Sequence, residues 1–176
     1  MTIFWLIALG VAGRLAPHLP NATPVTAITL AARRELGALW AYVVPLAAMI
    51  ASDAAIGFYN WKILISVYGS FVLIAALSHF IRHASLGKAI FFAALSSVLF
   101  FIVTNSAVWL FSPWYDKSIE GLLYCYWLGL PFLRNMLLGD VLYAAGLLGA
   151  FKLAGSVGRH WNGISVVVKE EAQPYQ

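Results

Sequence analysis

The chain has 176 residues, of which 62% are hydrophobic and only 10% are charged, and its net charge is +4. Ordinary soluble domains carry about 25% charged residues, so this composition excludes a soluble globular domain and predicts a single-domain integral membrane protein. The basic residues stand at segment ends and form no stripe, so the positive charge does not indicate a nucleic-acid partner. The single cysteine, Cys125, excludes an internal disulfide and a multi-cysteine metal site.

Apolar runs of about 20 residues, the length that crosses a hydrocarbon core of about 30 Å, predict an all-α bundle. The predicted bundle has about six transmembrane helices, one of them short, at 2–16, 24–33, 36–57, 62–81, 87–111 and 135–155. The short helix begins with Thr23 and Pro24 in cap and first-turn positions. The segment 118–131 is too short to span, and we predict a re-entrant or interfacial helix that ends at Pro131. The domain covers 1–158, and 159–176 forms a cytoplasmic tail.

The distribution of basic residues predicts the orientation in the membrane. With both termini cytoplasmic, seven basic residues fall inside and four outside, which follows the positive-inside rule. The inside residues are Arg33, Arg34, Arg82, Lys88, Lys152, Arg159 and Lys169, and the outside residues are Arg14, Lys62, Lys117 and Arg134. We therefore expect a multi-pass protein of the bacterial inner (plasma) membrane.

The segment 14–26, RLAPHLPNATPVT, is the most unusual part of the chain, and we call it the polar cassette. It places an Arg, a His, an Asn and three prolines between two apolar segments. Irregular backbone at a membrane is tolerated mainly where it is buried in protein or lines an aqueous cavity. The cassette therefore predicts a binding loop. For Asn21 and Thr23 the capping of the short helix is the favoured interpretation, because their side-chain oxygens can accept from its free amides.

Four polar residues on different helices are expected at a similar depth in the outer half of the membrane: Arg14, Asp53, Asn105 and Asp140. Ionisable groups within membrane segments are costly unless they are paired or hydrated, so they indicate a functional site. Arg–carboxylate pairs can also simply join helices. Both interpretations, direct ligand contact and structural pairing, remain open from the sequence.

Aromatic residues in the segment 124–135, YCYWLGLPFLRN, suit either a ring-bearing ligand or a membrane-interface lid. Cys125 fits a small apolar filler.

The complete set of candidate substrate-binding residues is Arg14, His18, Asn21, Thr23, Asp53, Asn105, Trp109, Tyr124, Trp127, Arg134, Asn135 and Asp140. His18 fits a ligand contact or a purely structural loop residue. His79 and His83 stand one helical turn apart, but no third ligand accompanies them, so a solvated helix end is favoured and no metal site is predicted.

Several segments resemble an uncharacterised family of small bacterial integral-membrane proteins: RLAPHLPNATPVTAITL, SDAAIGFY, TNSAVWL and GLPFLRNMLLGDVLY. The resemblance covers residues 3–155, and that family is similar to the substrate-binding S components of energy-coupling factor transporters. The resemblance implies an S-component-like bundle with an outward-facing pocket for a vitamin or metal ion. It also implies that Ala8 and Ala12, which fit an AxxxA motif, contact a membrane-embedded coupling subunit that works with ATPases.

The sequence thus favours a substrate-binding membrane subunit for uptake of a small molecule, with the pocket open to the outer face. Closure of the segments 14–26 and 118–134 would bury the ligand. The alternative is a structural or assembly protein of the cell envelope without transport activity, in which the polar residues join helices. We expect no enzyme, because no nucleophile–base set or phosphate loop is present, and no cofactor. The expected partners are the lipid bilayer, the unknown small-molecule ligand and the coupling subunit.

Overall fold

The computed structural model describes the backbone of residues 1–171 and the side chains of residues 1–156. Within residues 1–171 the chain is all-helical, as predicted, and has no strand. The six helices are α1 (Thr2–Leu15), α2 (Val25–Glu35), α3 (Ala38–Ile56), α4 (Trp61–Leu77), α5 (Leu86–Phe111) and α6 (Ile119–Glu171). A single 3₁₀ turn, Ser78–Ile81, follows α4. The side chains of the predicted tail beyond 158, and the residues 172–176 altogether, lie outside this description.

Among the residues that the structure describes, four helical stretches are long and apolar enough to cross a membrane: Ala38–Ile56, Trp61–Ile81, Leu86–Phe111 and Ile119–Ser156. The protein is therefore a membrane protein by the length and composition of its helices. The helix α1 is apolar but has only 14 residues. That α1 crosses the membrane and that both termini are cytoplasmic remain predictions.

The segment 118–131 does not form the separate re-entrant or interfacial helix that the sequence indicated. It is the first part of α6, which continues through Pro131 without interruption. Proline removes one backbone hydrogen bond and clashes with the preceding turn, which is why Pro131 predicts the end of a helix. Membrane helices tolerate proline because neighbouring groups satisfy the freed carbonyl. The final helix thus begins at Ile119, 16 residues before the predicted start at 135.

The short helix α2 is the centre of the bundle. Every residue from Val25 to Arg33 is buried, and the helix contacts the other five helices. The core around it includes Leu6 of α1, Val44 of α3 and Ala144 of α6. A helix that is buried all round needs neighbours on every side. The bundle is therefore organised around a helix of 11 residues, about half the length that spans a hydrocarbon core.

Close approach of α1 to this central helix depends on two glycines. A Cβ atom at Gly10 would lie 2.6 Å from Ile28 Cδ1 and 2.7 Å from Ala48 Cβ, and one at Gly13 would lie 2.5 Å from the Pro24 ring. Both distances are far below ordinary van der Waals contact, so no larger residue fits without displacing the helices. Small residues at membrane helix interfaces allow such close backbone packing. Gly10 and Gly13 therefore fix α1 against α2 and α3.

Candidate functional site

A cavity of about 350 Å³ lies at the N-terminal end of α2, between α1, α3, α4, α5 and α6. The polar cassette forms its mouth, with Arg14, His18, Asn21 and Thr23 in the lining. Tyr59 and Thr104 complete the polar part. The remaining walls are apolar and consist of Val25, Ile56, Ile63, Val67, Phe71, Phe100, Val108 and Met136. The cavity is thus polar at the cassette and apolar towards the bundle interior.

The cassette forms an irregular loop because its prolines exclude helix. Ala16, which precedes Pro17, is extended (φ −67°, ψ 150°), as expected for a residue before proline, and this ends α1. Asn21 adopts a left-handed conformation (φ 66°), which Asn tolerates better than most residues. The turn is closed by Ala22 N–H donating to Leu19 O at 2.9 Å. His18 Nδ1 lies 2.6 Å from Ala16 O, so the imidazole is held by its own loop.

The predicted capping of α2 by Asn21 and Thr23 is not observed. Pro24 itself occupies the N-cap position, and no side chain caps the helix. Thr23 therefore stands one residue too early for its hydroxyl to reach the first free amides, and Asn21 lies in the preceding turn. Both side chains line the cavity instead.

Arg14 and Asp53 form an ion pair beside the cavity. Arg14 Nη2 donates to Asp53 Oδ1, and the Tyr68 hydroxyl donates to Asp53 Oδ2 at 2.8 Å. The Asp53 side chain is 2% exposed, whereas the Arg14 side chain is 17% exposed and reaches the cavity. The network joins α1, α3 and α4. It combines the two interpretations left open by the sequence, because Asp53 holds the helices together while Arg14 faces the cavity.

Tyr59, in the connection between α3 and α4, adds a hydroxyl to the same wall. Burial raises the pKa of its hydroxyl above the ordinary value, and the nearby Asp53 carboxylate adds to this effect. The phenol therefore stays protonated at neutral pH and can donate a hydrogen bond. Neither Tyr59 nor Tyr68 was singled out from the sequence, since a lone tyrosine near a helix end is common at membrane interfaces.

Asp140 is buried below the cavity rather than in its wall. Its Oδ2 accepts hydrogen bonds from Ser97 Oγ at 2.6 Å and from Thr26 Oγ1 at 3.1 Å. The residue is 1% exposed and follows the wall residue Met136 by one helical turn. The hydrogen-bonded residues Asp140, Ser97 and Thr26 join α6, α5 and α2 immediately beneath the cavity floor. Thr26 and Ser97 were missed in the sequence because hydroxyl residues in membrane helices usually bond to their own backbone.

The structure does not place Asn105 and Asp140 at one depth. Asp140 is level with Ser97, which lies eight residues, about 12 Å along α5, from Asn105. The expected depth of Asp140 was counted from a helix start at 135, and the observed start at Ile119 removes that reference. The Asn105 side chain donates to Phe101 O at 2.9 Å and packs against Gly129, outside the cavity lining.

The other predicted binding residues also lie away from the cavity. Trp109 Nε1 donates to Asp116 O at 2.8 Å in the α5–α6 connection. Tyr124 and Trp127 are 58% and 69% exposed on the outer face of α6. Arg134 is exposed and Asn135 half-buried, and neither lines the cavity. The segment 119–134 is regular helix and forms no loop over the cavity; Tyr124 and Trp127 face outwards, and Tyr126 packs against α5, where its hydroxyl lies 2.6 Å from Ser106 Oγ.

Ala8 and Ala12 lie on the face of α1 that is turned away from the bundle. Leu6 and Gly10 are buried against α2 and α3, whereas Ala8 is half-buried and Ala12 is exposed. Cys125 is buried at 1% exposure, and its Sγ lies 3.5 Å from Asn105 O. No group of three or more His, Cys, Asp or Glu residues within the described side chains is placed to hold a metal ion.

Residues 1–161 match a family of unknown function, DUF6580. The chain belongs to this family. No curated protein and no solved structure matches the chain. For this member of DUF6580, the cavity at the polar cassette and the buried networks beside it are the features from which a function can be argued.

Proposed function

We propose that this DUF6580 protein is a substrate-binding membrane subunit for uptake of a small molecule, with its pocket open to the outer face. One observation carries the proposal: a cavity of about 350 Å³ has a polar mouth at the cassette and apolar walls inside the bundle. Binding pockets for small molecules have volumes of about 300–1,000 Å³ and combine apolar walls with a few polar groups. The S-component resemblance of the sequence motifs points in the same direction.

The lining favours a ligand with a polar end and a flat apolar part. Arg14, Asn21 and Thr23 offer hydrogen bonds at the mouth. Phe71 and Phe100 lie deeper with ring centroids 5.2 Å apart, so a ring of the ligand can pack against them. A vitamin-like compound fits this pattern better than a metal ion, because the cavity lining contains no carboxylate and a single histidine.

Transport requires that the ligand be covered and then released. Two irregular segments contribute to the lining, the cassette over residues 16–24 and the α3–α4 connection with Tyr59, whereas the side formed by α6 is helical. We therefore assign closure to the cassette, the longer of the two irregular segments, and not to the segment 118–134. The outward face of α1 with Ala8 and Ala12 is where a coupling subunit with ATPases would pack, since small residues permit close helix contact.

A matched pair of substitutions on α4 tests the proposal. Val67→Phe adds bulk to a residue of the cavity wall, whereas Val72→Phe adds the same bulk to an exposed position of the same helix. Full-length protein in lipid nanodiscs is screened against a panel of vitamins and divalent metal ions by calorimetry, and its co-purifying ligands are recorded by native mass spectrometry. We expect a ligand that binds the wild type and Val72→Phe but binds Val67→Phe at least tenfold more weakly. Absence of any bound compound, or equal binding by both variants, contradicts the proposal.

A structural or assembly role is the second candidate, and the Arg14–Asp53–Tyr68 network favours it, because this network joins three helices. Asp53→Asn weakens this network under either function, so ligand affinity and uptake distinguish the two. A binding protein loses ligand affinity or uptake in the Asp53→Asn molecules that still fold, whereas a purely structural protein loses stability and assembly and its wild type binds no ligand.

A further inference from the structure

A second cavity, of about 230 Å³, lies at the opposite end of α2. Its lining consists of Arg33, Ala38, Tyr42, Ala75, Ala76 and His79. Val25 lines the first cavity and Arg33 the second, and Arg33 follows Val25 by eight positions, about 12 Å along the helix. The two cavities are therefore separate, and the inference below does not rest on the proposed uptake function.

Arg33 is buried here without a counter-charge. It is 4% exposed, and the ion pair Arg14–Asp53 is the only one among the described side chains, so no described carboxylate pairs with Arg33. Its Nη2 donates to His79 Nδ1 at 3.0 Å, and a guanidinium can only donate, so this imidazole nitrogen carries no proton. Arg33 Nε and Arg34 Nη1 are buried with no acceptor within the described part of the chain. A buried, unpaired guanidinium is costly, which indicates a missing anionic partner.

The N-terminal part of α3 lines the same cavity through Ala38 and Tyr42. Gly37 is its N-cap and has no side chain to bond the first amides, and Ala38, the first helical residue, lines the cavity. Free amides and the helix dipole attract anions at such an end. The carbonyls at the end of α4 beside this cavity accept hydrogen bonds from Ser78. Ser78 Oγ donates to Ala75 O at 2.6 Å, and Ser78 N–H donates to Ala76 O and Ile74 O.

We propose that this cavity binds a phosphate-type oxyanion. The guanidinium of Arg33 supplies a charge-assisted donor pair, the α3 amides supply backbone donors and the Tyr42 hydroxyl closes the third side. A water occupies about 30 Å³ of liquid, so the cavity holds one phosphate group together with several waters. Two sources share this chemistry: the headgroup of an anionic phospholipid and free inorganic phosphate.

Three variants of the full-length protein test the site. Arg33→Gln removes the buried charge. Ala76→Leu narrows the cavity from an exposed lining position and leaves every charge in place. Arg82→Gln is the matched control, since it removes an exposed cation just after the 3₁₀ turn that carries His79. Inorganic phosphate is titrated by calorimetry into phosphatidylcholine nanodiscs, and lipid retention from phosphatidylglycerol nanodiscs is measured by native mass spectrometry in phosphate-free buffer.

We expect one probe to bind the wild type and Arg82→Gln, and to bind Arg33→Gln and Ala76→Leu at least tenfold more weakly. Phosphate binding in phosphatidylcholine identifies the free ion as the ligand, and selective retention of phosphatidylglycerol identifies the lipid headgroup. If Arg33→Gln does not fold, the comparison of Ala76→Leu with Arg82→Gln decides alone. The proposal is overturned if neither probe binds the wild type, or if Arg82→Gln loses as much binding as the cavity variants.

Discussion

Replacing Asp53 by Asn should destabilise the bundle through the charge left on Arg14. The substitution keeps the shape of the side chain and an acceptor for the Tyr68 hydroxyl, so the loss of the carboxylate charge dominates. Breaking a buried ion pair from one side costs about 3–5 kcal/mol. Because the Arg14 side chain is 17% exposed and reaches the cavity, part of its charge is solvated, and we expect a loss of about 2–3 kcal/mol.

The companion variant removes both charges. Arg14→Met combined with Asp53→Leu leaves no uncompensated charge, and replacing a buried pair by apolar residues of similar volume is often neutral. The double variant should therefore be more stable than Asp53→Asn, even though it carries two changes. The free energy of unfolding is measured by denaturant titration of the purified protein in one detergent.

Asp116→Asn serves as the control, since Asp116 is an exposed carboxylate in the connection between α5 and α6, and it should change stability by less than about 0.5 kcal/mol. The single variants Arg14→Met and Asp53→Leu complete the cycle. If the double variant is destabilised by the sum of their two losses, the charges are not coupled and the assigned ion pair is refuted.

Three further predictions concern packing. Gly10→Ala should cost about 1–3 kcal/mol because its Cβ would meet Ile28 and Ala48, whereas Gly69→Ala, with no atom within 4 Å, should be neutral or stabilising in the same unfolding assay. Asp140→Ala should lose about 2–4 kcal/mol, since the buried Thr26 hydroxyl loses its acceptor, the Ser97 hydroxyl keeps only its longer bond to Ala93 O at 3.3 Å, and a void opens, while Ser97→Ala should lose only about 1 kcal/mol; equal losses would contradict the shared-acceptor geometry. Cys125, at 1% exposure, should resist a maleimide reagent in the folded protein and react fully in denaturant, and rapid labelling of the folded protein would show that α5 and α6 are not packed as described.

The helices were largely predictable because apolar runs and their flanking residues determine them. The predicted spans 36–57 and 87–111 differ from α3 and α5 by at most two residues at either end. The exception is α6, which begins at Ile119 instead of 135 and ends at Glu171 instead of 155. Pro131 was interpreted as a terminator, but membrane surroundings let the helix continue through it.

The residues that line the cavity were predictable only where they belong to one continuous segment of the chain. The cassette residues Arg14, His18, Asn21 and Thr23 line one cavity because one short loop holds them together. Whether residues on different helices lie close together depends on how the helices are offset along their axes, and the composition does not encode this offset. Asp140 therefore lies beside Ser97 and below the cavity, not beside Asn105.

The shortness of α2 determines the room available to a ligand. Its 11 residues extend about 16 Å, roughly half of a hydrocarbon core, while α3 and α5 beside it are long enough to cross one. The centre of the bundle therefore contains no helix on the N-terminal side of Val25. The loop of the cassette covers this space instead. Inserting one helical turn before Val25 would extend α2 by about 5.4 Å into this space. The cavity therefore occupies the space that a longer central helix would fill.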